Sequence, residues 1–283
     1  MSSNKTNALA LTAIAMVAFA CNSLLCRLAL KSAQIDPASF TLIRLVSGAL
    51  VLWLICALRG AHITKTGNWY SGFALFVYAA GFSFSYTTLP AAVGALILFG
   101  AVQVTMIGYG LLRGERLTPV QILGLASSLG GLVALCAPGL SASSFSGAAL
   151  MLCAGVAWGV YSIRGRTQGD PTLVTAGNFL RAAPFAVLLY GLNLHGTTTS
   201  APGVWYALLS GALASGLGYA IWYAALRTLP ATIAATVQLS VPVLAALGAV
   251  LILDEPISVR LVLCSLAILG GIAVVILARR STR

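Results

Sequence analysis

Long apolar segments alternate with short polar connections along almost the entire chain. Each segment contains roughly 20 mainly apolar residues, the length of α-helix that crosses the hydrocarbon core of a bilayer. The connections are short, so successive helices are predicted to be antiparallel neighbours. The pattern predicts ten such helices, at about 8–30, 37–58, 69–88, 92–112, 119–138, 147–164, 172–191, 203–225, 231–252 and 258–278.

Local signals mark several ends of these helices. Asp36, Asp170 and Thr118 each precede a proline, which places a capping side chain before a proline at the first helical position. Leu89 and Leu229 also precede prolines. These two positions predict tight turns, so the third and fourth helices, and the eighth and ninth, are expected to form close hairpins.

The second half of the chain repeats landmarks of the first half. The tripeptide Thr-Leu-Pro at 88–90, the residue Glu115 and the Gly-Gly pair at 130–131 all recur 140 residues later. One such match between apolar segments could arise by chance, but several in a single register indicate an internal duplication. The chain is therefore predicted to consist of two homologous halves, 1–146 and 147–283, each with five membrane-spanning helices.

The composition supports a membrane protein and excludes a soluble one. Hydrophobic residues make up 59% of the chain and charged residues 7%, with a mean hydropathy of +0.98, whereas soluble chains carry about 25% charged residues. The formal net charge of +11 does not indicate nucleic-acid binding, because the basic residues are scattered singly rather than clustered. The protein is therefore predicted to be embedded in the lipid bilayer.

Basic residues define the predicted orientation, because lysine and arginine accumulate on the cytoplasmic side of membrane proteins. Eleven of them lie on the side of the amino terminus, whereas Arg27, Lys31 and Arg260 lie on the other side. Both termini are therefore predicted to be cytoplasmic. Because each half has an odd number of helices, the second half begins on the opposite side from the first. The halves are thus predicted to be inverted repeats, the architecture of many secondary transporters.

Two segments near the ends of the halves carry a resemblance to a known family. They are Gly-Glu-Arg-Leu-Thr at 114–118 and its counterpart Asp-Glu-Pro-Ile-Ser at 254–258, each followed by a Gly-Gly pair. Together with the ten-helix pattern and with Trp158 followed by glycine, they resemble the EamA-type members of the drug/metabolite transporter superfamily, in the branch of amino-acid and metabolite exporters. The chain departs from the family pattern at Cys21, where the first half lacks the tryptophan-glycine pair, and at Cys264, which replaces a glycine.

Polar side chains inside the predicted helices are the first candidates for substrate contacts, because hydrocarbon penalises such groups. Four of them are carboxamides: Asn22, Gln103, Asn178 and Gln238. A carboxamide both donates and accepts hydrogen bonds, which suits a zwitterionic or amphiphilic solute, but it also joins helices to one another. Arg181, near the middle of the seventh helix, either anchors a substrate carboxylate or pairs with backbone carbonyls. For Arg44 the same two alternatives apply, and structural pairing is favoured, because this residue lies closer to a helix end and is expected to reach the membrane surface.

Aromatic residues form a second group of candidates, because their spacing places them on shared helix faces. Those in the third, sixth and eighth helices are Tyr78, Phe82, Trp158, Tyr161, Tyr219 and Trp222. Such faces predict the lining of a pocket for an aromatic or bulky apolar group. The alternative is aromatic packing against lipid or at the membrane interface.

The acidic residues all fall at the ends of predicted helices, and none lies in the middle of the membrane. Proton-coupled transporters often use an embedded carboxylate, so the sequence disfavours this form of coupling and leaves facilitated diffusion open. Glu115 and Glu255 are expected to be structural, because each lies close to a helix start, where a negative charge is favoured.

Other functional classes lack their motifs in this sequence. The six cysteines lie within apolar segments without a metal-type spacing, and the two histidines, His62 and His195, lie in predicted loops on opposite sides of the membrane. No nucleophile-base pair, metal-binding motif or Walker A motif is present. The chain is therefore predicted to be neither an enzyme nor an ATP-driven pump, and to use no cofactor or metal.

These observations predict an all-α integral membrane protein that works as a secondary transporter by alternating access. The four carboxamides, Arg181 and the six aromatic residues are its predicted substrate-binding residues. The resemblance implies export of amino acids, aromatic or other bulky neutral ones, or of similar small metabolites across the bacterial inner membrane. Drug-like or phosphorylated metabolites are an alternative substrate class, and a channel is an alternative mechanism. The predicted partners are the small-molecule substrate and the bilayer; the oligomeric state stays open and is compatible with a monomer.

Overall fold

The chain folds into a bundle of α-helices. A computed structural model describes residues 2–31, 34–62, 66–89, 91–136, 145–166, 169–253 and 259–281. In these ranges β-structure is limited to one antiparallel bridge between Ile35 and Thr199. The α-helices are α1 (Ser2–Lys31), α2 (Pro37–Leu58), α3 (Trp69–Ser85), α4 (Ala91–Leu112), α5 (Pro119–Cys136), α6 (Phe145–Gly165), α7 (Pro171–Leu192), α8 (Ala201–Leu209), α9 (Gly218–Leu226), α10 (Ala231–Gln238), α11 (Ser240–Leu253) and α12 (Val259–Ser281).

Within the described ranges, each of the ten predicted segments has a helical counterpart, with differences at the ends and a break at Leu239. The eighth predicted helix consists of α8, a π-helical segment (Ser210–Leu217) and α9, and the ninth consists of α10 and α11. The third ends three residues early, at Ser85, because the chain enters a turn in which the N–H of Leu89 donates to the carbonyl of Ser85 at 2.9 Å.

Apolar side chains on the outside and polar side chains inside identify a multi-pass membrane protein. Val104 and Leu112 are 76% and 88% exposed, whereas Arg44 and Gln103 are buried. Within the described ranges, three shorter apolar helices accompany six helices that are long and apolar enough to cross a bilayer, so the full count of ten spans stays a prediction. The six are Ala8–Leu30, Pro37–Leu58, Phe145–Gly165, Pro171–Leu192, Ala201–Leu226 and Ala231–Gly248.

The predicted caps begin three of the helices. Asp36 and Asp170 each accept hydrogen bonds from the N–H groups of the second and third residues of α2 and α7, at 2.9–3.0 Å. At α5, Thr118 Oγ1 accepts from the N–H of Gln121 at 3.2 Å, and Gln121 Oε1 accepts from the N–H of Thr118 at 3.0 Å. This reciprocal pair is a capping box. Asp36 also accepts from the N–H of Thr198 at 3.1 Å, which ties the connection after α1 to the one before α8.

Helix contacts between the two predicted halves occur in pairs. In the second contact of each pair, both helices are replaced by their counterparts from the other predicted half. Helix α3 packs against α6, and α1 packs against α8 and α9; similarly, α4 packs against α6, and α1 against α11. Three further contacts join helices at equivalent places in the halves: α2 with α7, α4 with α10, and α5 with α12. The two predicted halves therefore contact each other through most of their helices.

The duplicated glycine-rich segments lie where α5 packs against α12. A Cβ on Gly124 would be 2.8 Å from the carbonyl oxygen of Gly271, and a Cβ on Gly131 would be 3.1 Å from that of Cys264. Ser128 Oγ donates to the carbonyl of Ile268 at 3.1 Å. Small residues let the two backbones approach this closely, as is common between helices in membranes.

Two irregular segments shape the centre of the bundle. The π-helical segment Ser210–Leu217 is rich in small residues and packs against α2, where a Cβ on Gly211 would overlap the carbonyl oxygen of Arg44. The second irregularity separates α10 from α11 after Gln238. Pro242 has no N–H to donate to the carbonyl of Gln238, four residues earlier, and so favours a break at this point.

Candidate functional site

Seven buried aromatic side chains from α1, α3, α6 and α9 meet at the centre of the molecule. We call them the central aromatic cluster: Phe19, Tyr78, Phe82, Trp158, Tyr161, Tyr219 and Trp222. Trp158 lies in the middle, with its ring centroid 4.7 Å from that of Tyr219, 4.9 Å from Tyr78 and 5.2 Å from Phe19. Favourable aromatic pairs are separated by about 4.5–7 Å, so the rings pack on one another rather than against lipid.

Helix geometry brings these rings onto common faces. Tyr78 and Phe82 are one turn apart on α3, with centroids 5.7 Å apart. The face of α9 also depends on the π-helical segment before it, because a π-helix turns less per residue than an α-helix. After this segment, Tyr219 and Trp222 face Phe19 of α1, at centroid distances of 5.6 and 5.8 Å.

The carboxamide of Gln238 connects the cluster to α10. Trp158 Nε1 donates to Gln238 Oε1 at 2.6 Å, and Gln238 Nε2 donates to the carbonyl of Ala234 at 3.1 Å. The same amide nitrogen lies 3.3 Å from the sulfur of Met106 on α4. Gln238 is the last residue of α10, so the break before α11 lies directly beside the cluster.

A small cavity adjoins the cluster. It measures about 20 Å³ and is lined mainly by apolar groups, with Tyr78, Phe82 and Trp158 on its wall and Gln238 as a polar contributor. That volume has room for about one water molecule, whereas pockets for drug-sized ligands measure about 300–1,000 Å³. Among the described residues, the centre therefore leaves room for little more than one water molecule.

Arg44 lies beside the cluster, and the expectation that it reaches the membrane surface is wrong. Its side chain is 0% exposed, because α2 packs against α7 on one side and against the π-helical segment on the other. The guanidinium carbon is 5.3 Å from the ring centroid of Tyr78 and 5.7 Å from that of Phe82. These distances are within the range of cation–π contacts, about 6 Å.

The guanidinium of Arg44 is hydrogen-bonded through Nε and Nη2. Arg44 Nε donates to Ser215 Oγ at 2.9 Å, and Nη2 donates to the hydroxyls of Tyr219 at 2.5 Å and Tyr78 at 3.3 Å. Among the described residues, Nη1 is buried without a hydrogen-bond partner. The positively charged guanidinium of Arg44 therefore lies at the centre, and its Nη1 makes no hydrogen bond to the described residues.

Asn22 and Gln103 are buried between helices near the cluster. Asn22 Oδ1 accepts from Ser210 Oγ at 2.6 Å, and Gln103 Nε2 donates to the carbonyl of Ala235 at 2.7 Å. Both bonds join helices of different halves, which is the helix-joining role that the sequence left open. Gln103 Oε1 is buried without a partner in the described part of the chain.

Asn178 and Arg181 contact the connection that precedes α3. Asn178 Oδ1 accepts from the N–H of Asn68 at 3.1 Å. Arg181 Nη1 donates to the carbonyls of Thr66 at 2.6 Å and Gly177 at 2.8 Å. Arg181 thus has the backbone-carbonyl pairing that was the alternative to a substrate-anchoring role.

Phe19 and Ser215 belong to the centre, but no sequence signal singled them out. Phe19 lies in a uniformly apolar segment, and Ser215 in a stretch of small residues whose π-helical turn cannot be read from hydropathy. Arg44 did carry a signal, namely a charge inside a predicted membrane helix, which is usually functional.

The fold identifies a multi-pass membrane protein, and comparison with known proteins identifies it as a transporter. The model of the EamA-like transporter family matches the chain twice, at 6–136 and 145–277. The chain belongs to this family of transporters. A small-molecule substrate and the lipid bilayer are therefore its partners.

Relatives and a solved structure extend over nearly the whole chain. The chain is 56% identical to an uncharacterized protein of Pseudomonas aeruginosa, covering 96% of this chain and 95% of that protein. It is 29% identical to an uncharacterized transporter of Archaeoglobus fulgidus (87% and 89% covered) and 23% identical to the uncharacterized transporter YoaV of Bacillus subtilis (84% and 87% covered). A protein of known crystal structure shares the fold, with a TM-score of 0.76 at 22% identity, covering 96% of this chain and 99% of that chain.

Proposed function

We propose that the protein is a secondary carrier that exports bulky neutral amino acids, above all aromatic ones, or similar small metabolites across the bacterial inner membrane. The observation that carries this proposal is the central aromatic cluster, a buried apolar surface next to the carboxamide of Gln238. Aromatic rings bind an aromatic side chain favourably, and carboxamides such as Gln103 would bind the polar groups at the α-carbon. The direction of transport follows from the resemblance to exporters of the family.

The proposed architecture has ten spans in two inverted repeats, 1–146 and 147–283, with both termini in the cytoplasm. Three observations support it: the repeat register of 140 residues, the two matches of the family model and the exchanged helix contacts between the halves. In inverted-repeat carriers the substrate binds near the midplane, at the interface between the repeats. The central aromatic cluster would occupy that position.

The nearly closed centre favours a carrier over a channel. Because the cavity measures about 20 Å³, an amino acid could enter only after helices of the two halves separate. Rocking of one half against the other would open the cavity to one side of the membrane at a time. A channel would instead need a continuous polar path, which a centre made largely of packed rings does not favour.

Uptake into liposomes tests the proposal. We expect saturable uptake of radiolabelled phenylalanine by the reconstituted protein, at the same initial rate with and without a pH gradient, because no acidic residue lies in the middle of a predicted span. Protein-free liposomes are the control. Uptake that requires the pH gradient would contradict facilitated diffusion, and folded protein that moves no amino acid would overturn the proposed substrate.

Glu115 joins the two halves on the predicted cytoplasmic side. Its carboxylate accepts from the N–H of Ala231 at 3.0 Å, and from the N–H and hydroxyl of Thr232 at 3.2 and 2.8 Å. Arg166 Nη1 lies 4.0 Å from Glu115 Oε1, and Arg166 Nη2 donates to the carbonyl of Leu229 at 2.8 Å. Glu115 therefore caps the amino end of α10, a helix of the other half, rather than that of α5.

This contact would hold the cytoplasmic side closed, so Glu115→Gln is expected to favour opening on that side. The variant keeps the shape of the side chain but loses its charge, which weakens the cap by about 1 kcal/mol and shifts the closed-to-open ratio about fivefold. Thr236, one turn further along α10 and 1% exposed, serves as a reporter when it is changed to cysteine. We expect a membrane-impermeant maleimide to label this cysteine about fivefold faster from the cytoplasmic side in the variant.

Asp170→Asn is the matched control for Glu115→Gln. Asp170 lies on the same predicted side and caps a helix in the same way, but that helix, α7, belongs to its own half. Its loss should not change the labelling rate. Equal labelling in the two variants, or no change with Glu115→Gln, would contradict a gating role of the Glu115 contact. Glu255, the repeat counterpart of Glu115, lies outside the described residues.

A further inference from the structure

Arg44 has an unused hydrogen-bonding capacity that points to a ligand. A guanidinium carries five N–H donors, and those at Nε and Nη2 bind Ser215, Tyr78 and Tyr219. The two donors at Nη1 have no partner in the described ranges, although the side chain is 0% exposed. A buried polar group without a partner is rare in native proteins and calls for an explanation.

Within the described part of the chain, the positive charge of Arg44 also has no compensating carboxylate. In the described ranges the acidic residues are Asp36, Glu115 and Asp170, and each accepts hydrogen bonds at the amino end of a helix. In the described ranges, the hydrogen bonds and cation–π contacts of Arg44 are all with neutral hydroxyls and the faces of aromatic rings. An arginine stays ionised in proteins, so the centre carries a net positive charge, which is costly in a membrane unless an anion binds there.

The surroundings of Arg44 define which anion would fit. Tyr78 and Phe82, whose rings flank the guanidinium, also line the central cavity. Trp158 lines the same cavity, 4.9 Å from Tyr78. Arg44 itself does not line the cavity in this conformation, so the cavity must enlarge past the rings of Tyr78 and Phe82 before a ligand with its apolar body against them can bring a negative group to Nη1. Arginine pairs with carboxylates through two parallel hydrogen bonds.

We propose that Arg44 is the anion-binding residue of the transport site and that the substrate class is a carboxylate with a bulky apolar body. This inference rests on the proposed function, since it concerns the same central site. The carboxylate is the required polar group, whereas an α-ammonium group is dispensable, because among the described residues only neutral acceptors such as Gln103 Oε1, and no acidic residue, are available near the centre to bind it. The site therefore binds a monoanion at least as well as the corresponding zwitterion and rejects the corresponding cation.

Three matched compounds test this selectivity on the purified wild-type protein. They share a phenylethyl body and differ in their charged groups: phenylalanine is a zwitterion, 3-phenylpropionate an anion and 2-phenylethylamine a cation. We expect 3-phenylpropionate to bind with an affinity equal to or higher than that of phenylalanine, and 2-phenylethylamine to bind at least about tenfold more weakly, as measured by isothermal titration calorimetry. Binding of the amine as tight as that of the carboxylate would overturn the proposal.

Variants of Arg44 connect this selectivity to the guanidinium. Arg44→Gln is expected to lower the affinity for 3-phenylpropionate at least about tenfold, and Arg44→Lys to lower it less, because lysine keeps the charge but not the forked geometry. Arg59→Gln is the control, since Arg59 lies on the exposed end of the same helix. If Arg44→Gln does not fold, Arg44→Lys and the three-compound series still decide the question. Unchanged affinity in a folded Arg44 variant would overturn the assignment.

The same experiments separate this inference from the proposed function. If liposomes take up no amino acid but 3-phenylpropionate still binds in an Arg44-dependent manner, the proposed amino-acid substrate is wrong and the carboxylate site stands. If phenylalanine is transported and Arg44→Gln leaves its half-saturating concentration unchanged, the carrier stands and the role of Arg44 is refuted.

Discussion

A Gly211→Ala protein is expected to lose about 3 kcal/mol of unfolding free energy, at the upper end of the range for overpacked cores. The added methyl group would overlap the carbonyl oxygen of Arg44 and lie 2.7 Å from the Cα of the same residue. Both are backbone atoms of α2, so they move only if the whole helix moves. The separation would also pull Ser215 away from Arg44 Nε and open the centre of the bundle.

Thermal unfolding in detergent, followed by tryptophan fluorescence, measures this effect. Gly108→Ala is the matched control, because Gly108 lies within α4 and a Cβ there would meet no atom within 4 Å. Alanine exceeds glycine in helix propensity by about 1 kcal/mol, so this control should be as stable as the wild type or more stable. Equal unfolding midpoints for the two variants would show that α2 and the π-helical segment do not pack as described.

Trp158→Ala is expected to destabilise the protein and to abolish high-affinity transport. The indole is 4% exposed, packs on Phe19, Tyr78 and Tyr219, and donates to Gln238. Replacing a buried tryptophan by alanine costs about 3–5 kcal/mol. We expect the lower end, because lipid-solvated unfolded helices keep the ring in an apolar solvent. The variant also leaves Gln238 Oε1 without its donor.

Two measurements follow the Trp158 variant. The unfolding midpoint should fall, and the half-saturating concentration for phenylalanine uptake should rise at least about tenfold, equivalent to 1.4 kcal/mol of binding. Trp53→Ala is the control, since Trp53 is 53% exposed on the lipid-facing side of α2; its removal should change neither quantity appreciably. If the Trp158 variant is folded and transports phenylalanine with wild-type affinity, the central aromatic cluster is not the substrate site.

The helices and their ends could be predicted because their signals are local. An apolar segment of spanning length needs no knowledge of its neighbours, and Asp36 and Asp170 cap the helices directly after them. The central aromatic residues of α3, α6 and α9 could also be selected, because their spacing along one helix face is visible in the sequence. What the sequence could not decide was whether those faces pointed to lipid or to one another.

The remaining features depend on contacts between distant segments. The π-helical segment rotates the face of α9, and neither its position nor the close approach of its Gly211 to Arg44 follows from hydropathy. Distance from a helix end suggested that Arg44 could reach the surface, but the packing of α7 and the π-helical segment over α2 buries it. Arg181, deeper along its helix, instead finds the carbonyls of Thr66 and Gly177.

Glu115 illustrates how a correct local inference can still miss the partner. Its proximity to a helix start indicated a capping role, and capping is what it does. The helix it caps, α10, begins 116 residues later in the chain, so the contact that joins the two halves could not be deduced from local sequence.

Counterflow in liposomes tests most directly whether this protein is an alternating-access carrier for carboxylates with bulky side chains. Liposomes that contain the protein are loaded with unlabelled phenylalanine and diluted into a trace of labelled phenylalanine. A carrier that exposes one site alternately is expected to accumulate label transiently above the external concentration, with stimulation by internal 3-phenylpropionate as well. Label that merely equilibrates at a rate independent of the internal solute would contradict alternating access and indicate a channel.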